Sequence, residues 1–202
     1  MAKISYIFTF ILLQIYLVSG VKQFLIVDFN NNDNVTEWRE QSDTLTKSGM
    51  SKAALVLLET GLSRRAVFFT LLNAQPNGGG FAGVETDMQL NLSNYNSIAL
   101  RVRGQGKNKG YKFILKHKSG KNEDRLEYCH LFEVPFGDYT VVKLPLKQFK
   151  PYFKNKLVNQ TEPLKLNEIT SIGLRMYGSD PSSQKKQSGV SSLEMDWIIA
   201  LG

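Results

Sequence analysis

The side chains able to do nucleophilic or metal chemistry are few in this 202-residue chain: two histidines, His117 and His130, and one cysteine, Cys129. A nucleophile needs a base beside it, and no Gly-x-Ser-x-Gly elbow is present, so a hydrolase triad is not expected. Cys129 and His130 are adjacent on a predicted strand and so point to opposite faces, which leaves no zinc set. Asp43, Glu85, Asp87, Glu127 and Asp196 are the raw material for a catalytic carboxylate pair, but nothing in their spacing argues for pairing. No Asp-x-Asp-x-Asp-Gly run marks a calcium loop. Gly104-Gln105-Gly106 lacks the third glycine and the following helix of a dinucleotide fingerprint. The expectation is a protein without catalytic residues, cofactor or metal.

Binding chemistry is better represented. The formal charge is +7, and Arg103, Lys107, Lys109, Lys112, Lys116, Lys118 and Lys121 fall in one stretch with no acidic residue. Lys112 and Lys116 share a strand face. Such a cluster either attracts an acidic glycan or an acidic protein, or is a solvated sheet edge on which lysines block unwanted pairing. Sugar binding asks for rings beside polar side chains on one exposed face, and Tyr128, His130, Phe132, Arg101, Arg103 and Arg175 are the candidates. The plainer alternative is that Tyr128 and Phe132 face the core. Arg101, Arg103 and Arg175 lie on predicted central strands, where a charge must meet water, a carboxylate or a ligand. Glu127 and Asp196 are the structural partners to weigh against a ligand. The binding set expected from sequence is therefore Arg101, Arg103, Lys112, Lys116, His130 and Arg175.

The elements that must carry these residues are strands. Ile98, Leu100 and Val102 alternate with Ala99, Arg101 and Arg103, and Tyr111, Phe113 and Leu115 alternate with Lys112, Ile114 and Lys116, which predicts two half-buried strands joined by a hairpin loop at 104–110. Further runs at 23–29, 53–59, 66–72, 81–90, 128–134, 140–146, 169–177 and 192–200 bring the total to ten. In the last run Leu193, Met195, Trp197 and Ile199 share one face, with Glu194 and Asp196 on the other, so the C-terminus is expected to dock in a sheet and its truncation to destabilise the domain. Helical turns are expected only near 146–153 and 166–169, and 178–188 reads as a polar loop. Short strands at regular spacing predict an all-β, two-sheet jelly-roll sandwich. With a hydrophobic share of 42% and a charged share of 21%, the chain is expected to form one β-sandwich domain over 21–202.

Residues 1–20 read as a secretory signal: Lys3, an apolar stretch from Ile4 to Val18, then Val18-Ser19-Gly20. There is no arginine, as a mitochondrial presequence would need. Secretion gives meaning to three acceptor sequons at Asn34, Asn91 and Asn159, disfavours nucleic acid as a partner and leaves no membrane span after cleavage. A lone cysteine excludes an intrachain disulfide, so packing alone must hold the core, and Cys129 is expected to be a buried thiol.

Several motifs then fall into a known order: Glu37-Trp38-Arg39, Ser42-Asp43, Gly49-Met50-Ser51, Gly80-Phe81-Ala82-Gly83, Leu92-Ser93-Asn94-Tyr95, the strand 98–106, Val142-Lys143-Leu144-Pro145-Leu146 with Phe149, and 169–173. Together they resemble the thirty-kilodalton complex I intermediate-associated protein family. The resemblance implies a galactose-binding-domain-like β-sandwich, related in architecture to carbohydrate-binding modules and without catalytic activity. It also implies kinship with mitochondrial chaperones for assembly of NADH:ubiquinone oxidoreductase. Ser48-Gly49-Met50-Ser51 replaces one of the family's paired glycines, and the leader points to the endoplasmic reticulum. The expected function is thus a secreted, non-enzymatic binding or chaperone-like module for a protein or glycan, with a mitochondrial assembly role as the alternative.

Overall fold

Period-two alternation of apolar side chains places one face of each strand inward, and here two antiparallel sheets close on each other over that face. The computed structural model describes residues 20, 22–31, 33–45, 49–75, 79–118, 126–153, 156–159, 162–179 and 186–202. The leader up to Ser19, Ser48, Gly78, Lys121, Gln160, Thr161 and the middle of the 178–188 loop lie outside the described residues.

The strands are β1 (Gln23–Asp28), β2 (Arg39–Glu40), β3 (Lys52–Thr60), β4 (Ser63–Leu72), β5 (Phe81–Leu90), β6 (Ser97–Gly106) and β7 (Gly110–His117). They are followed by β8 (Leu126–Glu133), β9 (Thr140–Pro145), β10 (Lys150–Phe153), β11 (Lys156–Leu157), β12 (Ile169–Tyr177) and β13 (Gly189–Leu201). One sheet has six strands in the order β3-β4-β13-β6-β9, with β1 on β13; the other has seven in the order β11-β10-β8-β7-β12-β5-β2. The result is the all-β sandwich that the alternation predicts.

All ten expected runs are strands, and β2, β10 and β11 are additional. Each of these three is too short for alternation to show. The expected helical turn near 146–153 is a single 3-10 turn at Leu146–Gln148, after which the chain straightens into β10. The expected hairpin at 104–110 does not form, because β6 belongs to the six-stranded sheet and β7 to the seven-stranded one. The segment instead arches across the end of the sandwich. Alternation is the same for two strands side by side and for two that face each other through a core. Asn108 pins the arch by donating to the Ser188 carbonyl and Ser191 Oγ, and Gly106 supplies the positive φ it needs (103°).

β7 lies between β8 and β12 and is buried on both faces, so Lys112 and Lys116 are neither on a half-buried strand nor at an edge. β13 departs from strict alternation through a bulge between Met195 and Trp197. Leu193 and Met195 face the core, and beyond the bulge Ile198 and Ala200 take over, while Trp197 and Ile199 are only half-buried.

The inner faces meet through Phe68, Leu100, Val102, Leu193 and Ile198 on one side and Tyr111, Phe113, Leu115, Leu174 and Met176 on the other. Tyr128 and Phe132 also face this core, with Phe132 stacked on Tyr111 at 5.7 Å.

Asp43 ties the entry of β3 to that of β5. Its carboxylate accepts from Ser51 N (2.8 Å), Ser51 Oγ (2.9 Å) and Phe81 N (3.1 Å). Gly49 must be glycine beside it, since a Cβ would sit 2.2 Å from the Asp43 carbonyl carbon. Gly49→Ala is therefore expected to destabilise the fold by about 2 kcal/mol or more through overpacking. Met50→Ala, at the exposed neighbour, should stay within about 0.5 kcal/mol; denaturant melts of the two variants make the comparison.

Candidate functional site

Residues whose side chains point away from the core on β5, β7, β8, β10 and β12 form the outer face of the seven-stranded sheet. At its centre Arg175 grips Glu127 through two parallel bonds, Nη1 to Oε2 at 2.7 Å and Nη2 to Oε1 at 2.9 Å. β7 lies between their strands. Lys116 donates to Glu85 at 2.6 and 2.8 Å and stands 3.7 Å from Glu127. Ser171 adds a bond to Glu85 at 3.2 Å. Burial favours the neutral form of Glu127, but the Arg175 charge and its hydrogen bonds, with Lys116 and Lys112 beyond, outweigh it and hold the carboxyl below its usual range. Arg175, although buried, is held above its usual range by Glu127.

Three rings border this charged centre. The Lys112 ammonium lies 4.4 Å from the Tyr152 ring centroid and 4.9 Å from that of Tyr177, and the Arg175 guanidinium lies 4.7 Å from that of Phe81. Tyr152 and Tyr177 are themselves buried. Cys129 packs with Ile114 and Tyr152 as the buried thiol expected, and burial next to Glu127 pushes it up to about 12.

The outer face of the six-stranded sheet is built differently. Glu194 on β13 gathers Arg65 Nε (2.8 Å), Arg103 Nη2 (2.7 Å), Gln105 Nε2 (2.6 Å) and the Tyr139 hydroxyl (2.8 Å). Burial raises the Glu194 carboxyl, yet bonds from Arg103 and Tyr139 bring it below the ordinary value. Tyr139 is pushed up to about 12 by burial and by Glu194. Its ring lies under both Arg101 and Arg103, at 4.5 and 5.0 Å, and Arg101 pairs with Asp196.

Beside this cluster, pairing register sets an apolar strip on the same face. Leu71 stands opposite Val190, Phe69 opposite Ala54, and Val56 opposite Val67, with Leu58 next along β3. Phe69, Leu71 and Val190 are 47%, 48% and 65% exposed. Sequence reasoning missed the strip because the run 66–72 is almost continuously apolar and reads as buried on both faces.

The six expected binding residues thus occupy three places. Arg101 and Arg103 are on the six-stranded outer face, and Lys112, Lys116 and Arg175 are on the opposite side of the molecule. His130 turns inward, edge-on to Phe149, with Nδ1 2.8 Å from the Leu131 carbonyl and Nε2 3.2 Å from Gln148. Asn34, Asn91 and Asn159 are exposed. Among the described residues no three His, Cys, Asp or Glu side chains gather as a metal site, and no helix is long and apolar enough to cross a membrane.

A sequence pattern describing complex I intermediate-associated protein 30 (CIA30) matches residues 27–195. The chain belongs to the CIA30 family. No curated protein matches the sequence significantly. The CIA30 sandwich is similar in fold to the family 11 carbohydrate-binding module of Clostridium thermocellum, solved with a β-1,3-1,4-mixed-linked tetrasaccharide: TM-score 0.64 at 16% identity over 89% of this chain and 95% of that one. The same module from the cellulase Lic26A-Cel5E of Clostridium thermocellum gives 0.64 at 13% identity, over 91% and 96%. An exo-β-agarase gives 0.54 at 13% identity, with 87% of this chain covering 24% of that one.

Removing Arg175 strands a buried carboxylate, so Arg175→Ala is expected to cost about 3–5 kcal/mol in a denaturant melt. Arg39→Ala, which breaks the exposed pair with Asp87, should leave the midpoint unchanged. Glu127 and Glu194 have folded values below 4.5, so the stability they contribute is present above that pH and is lost as pH falls through the lower folded values. Thermal melts should show a midpoint that falls between about pH 6 and pH 3 and stays level from about pH 6 to pH 8; above about pH 9 it should fall again, because the unfolded thiol and phenol ionise while the folded Cys129 and Tyr139, both raised to about 12, hold their protons.

Proposed function

We propose that this CIA30 chain is a non-catalytic binding module that holds a protein partner on the outer face of its six-stranded sheet. The observation that carries this reading is the exposed strip of Val56, Leu58, Phe69, Leu71 and Val190, lying against an arginine cluster in one register. A contiguous apolar patch on an otherwise charged surface is what a protein contact uses. Four of its five side chains are aliphatic, whereas a sugar is gripped by flat exposed rings.

The matching partner segment carries apolar side chains for the strip and a carboxylate for Arg101 and Arg103, whose side chains remain 40% and 31% exposed. Holding such a segment out of water is a chaperone-like act that needs no chemistry. The intermediate-associated proteins for which the family is described favour an assembly intermediate as the client. The leader and the three sequons favour the secretory pathway as the place.

A glycan on the seven-stranded outer face is the second reading. It is favoured by Phe81, Tyr152 and Tyr177 around polar groups and by the saccharide-bound module with the same fold. Against it, Tyr152 and Tyr177 are buried and already face the Lys112 ammonium.

The purified chain is expected to suppress aggregation of a thermally unfolding client enzyme, and Phe69→Glu/Leu71→Glu should abolish this while the melting curve stays unchanged. Suppression that survives the double variant, or retention of one sugar class on a glycan array without any suppression, removes the protein reading. Expression of the intact chain in animal cells tests the compartment. An endoglycosidase-sensitive mass that Asn34, Asn91 and Asn159 substitutions remove is expected; sugar-free protein co-fractionating with mitochondria would instead support the assembly role in that organelle.

A further inference from the structure

Five strands lie at the margins of the two sheets, and four of them are blunted. β2 and β11 are two residues long, β1 is interrupted by a bulge between Leu25 and Val27, and β9 carries Lys143 and ends at Pro145. Such devices keep an edge from pairing with another chain. β3 has none of them. It runs for nine residues, its pairing with β4 is unbroken from Lys52 opposite Leu71 to Thr60 opposite Ser63, and Ala54-Leu55-Val56-Leu57-Leu58 holds neither charge nor proline.

Backbone direction shows what this edge offers. In an antiparallel ladder successive residues turn their N–H and C=O groups alternately toward the neighbouring strand and away from it. The Ala53 N–H points away from β4, since it donates to Glu40 Oε1 at 3.0 Å. Period two sends the backbone groups of Leu55, Leu57 and Glu59 the same way, and among the described residues none of the three meets a partner on that side. Along the inner face of β3 burial decays from Leu55 through half-buried Leu57 to exposed Glu59, so the core is incompletely covered at the same margin.

We propose that β3 is a self-association edge: two copies of this chain pair β3 with β3, antiparallel, about a two-fold axis at Leu57. Outward groups must meet outward groups, so only odd-numbered residues exchange hydrogen bonds. With the axis at Leu57, that residue bonds its own counterpart, and Leu55 bonds the second copy's Glu59 on each side of it. Every free N–H and C=O of Leu55, Leu57 and Glu59 is then used. An axis at Val56 would oppose Ala53 to Glu59 and displace Glu40. On the outer face Val56 meets the second copy's Leu58, and Leu58 its Val56, in the positions where side chains approach closest. Glu59 stands opposite Leu55 and keeps Arg64 as its ion partner at 3.7 Å.

A second copy suits this edge better than an unfolded segment, because its β3 is already extended and loses little conformational entropy on pairing. The two-fold contact is closed, so the edge is consumed without growth into a fibre. Phe69, Leu71 and Val190 stay uncovered, and the apolar strips of the two copies adjoin across the seam. The dimer goes beyond the client contact and does not rest on it.

Sedimentation equilibrium and amide hydrogen exchange of the full chain over a concentration series test the proposal. The mass is expected to approach about twice that of the monomer as concentration rises. Protection should grow with it at Leu55, Leu57 and Glu59, and not at Val56 and Leu58, whose amides β4 already holds. Leu57→Pro removes a free N–H without touching the bonds to β4 and should leave a monomer. Val56→Lys/Leu58→Glu sets opposite charges across the seam when the axis is at Leu57, so it should dimerise at least about tenfold more tightly than Val56→Lys/Leu58→Lys. Phe69→Glu/Leu71→Glu should lose client protection and keep the dimer, so failure of either reading shows separately. A monomer at every concentration, protection that grows elsewhere than at these three amides, or equal dimerisation of the two charge variants would each overturn the assignment.

Discussion

The fork between Arg175 and Glu127 reaches over the intervening strand β7 and so couples three strands of one sheet. A guanidinium this deeply set stays charged, and it is tolerable only while Glu127 stands opposite, with Lys116 and Glu85 closing the chain of charges. The six-stranded sheet repeats the device: Glu194 on its central strand β13 holds Arg65 on β4 and Arg103 on β6. In each sheet a slip of one residue would turn these charges into the core and the core residues out to water. The protein has one cysteine and thus no internal crosslink, so interior packing supplies the adhesion while the two ion clusters fix which register is adhesive.

How much of this could be read from the chain follows from what alternation encodes. It reports which side chains share a face, and so the strands, the inward Tyr128 and Phe132 and the divergence of Cys129 and His130 were all legible. Charge on a central strand is also legible as a demand, and it pointed to Glu127 and Asp196 as partners for the three arginines; the structure gives Glu127 to Arg175 and Asp196 to Arg101, and Arg103 turns instead to Glu194. Alternation carries no information about which strand is the neighbour. For that reason Lys112 and Lys116 read as an edge although they sit mid-sheet, and 104–110 read as a hairpin although it is an arch. The bulge at Met195–Trp197 is equally silent, since one extra residue leaves the local composition unchanged while it exchanges the inward and outward sets beyond it. The Asp43 hub showed in the sequence only as the spacing of Ser42-Asp43 and Gly49-Met50-Ser51, without the reason for it.

The two outer faces differ in how satisfied they are. On the seven-stranded face the charges are paired and the rings lie against cations, which is a finished structure as it stands. On the six-stranded face an equally well-paired cluster borders side chains that water covers at a free-energy cost. Function is sought where something is left over, and on that criterion the six-stranded face is the place to bind.

The position of β13 has a consequence for how this molecule comes into being. β13 lies between β4 and β6 and also carries β1, so three of the five pairings of the six-stranded sheet wait for residues 189–201, while β3-β4 and β6-β9 need only earlier residues. The strands of its partner sheet are all made earlier. The seven-stranded sheet can therefore assemble during translation with its apolar inner face bare until β13 emerges and joins the two separate halves of the other sheet, and a nascent chain stalled before that point would present the bare face to whatever holdase stands at the tunnel exit.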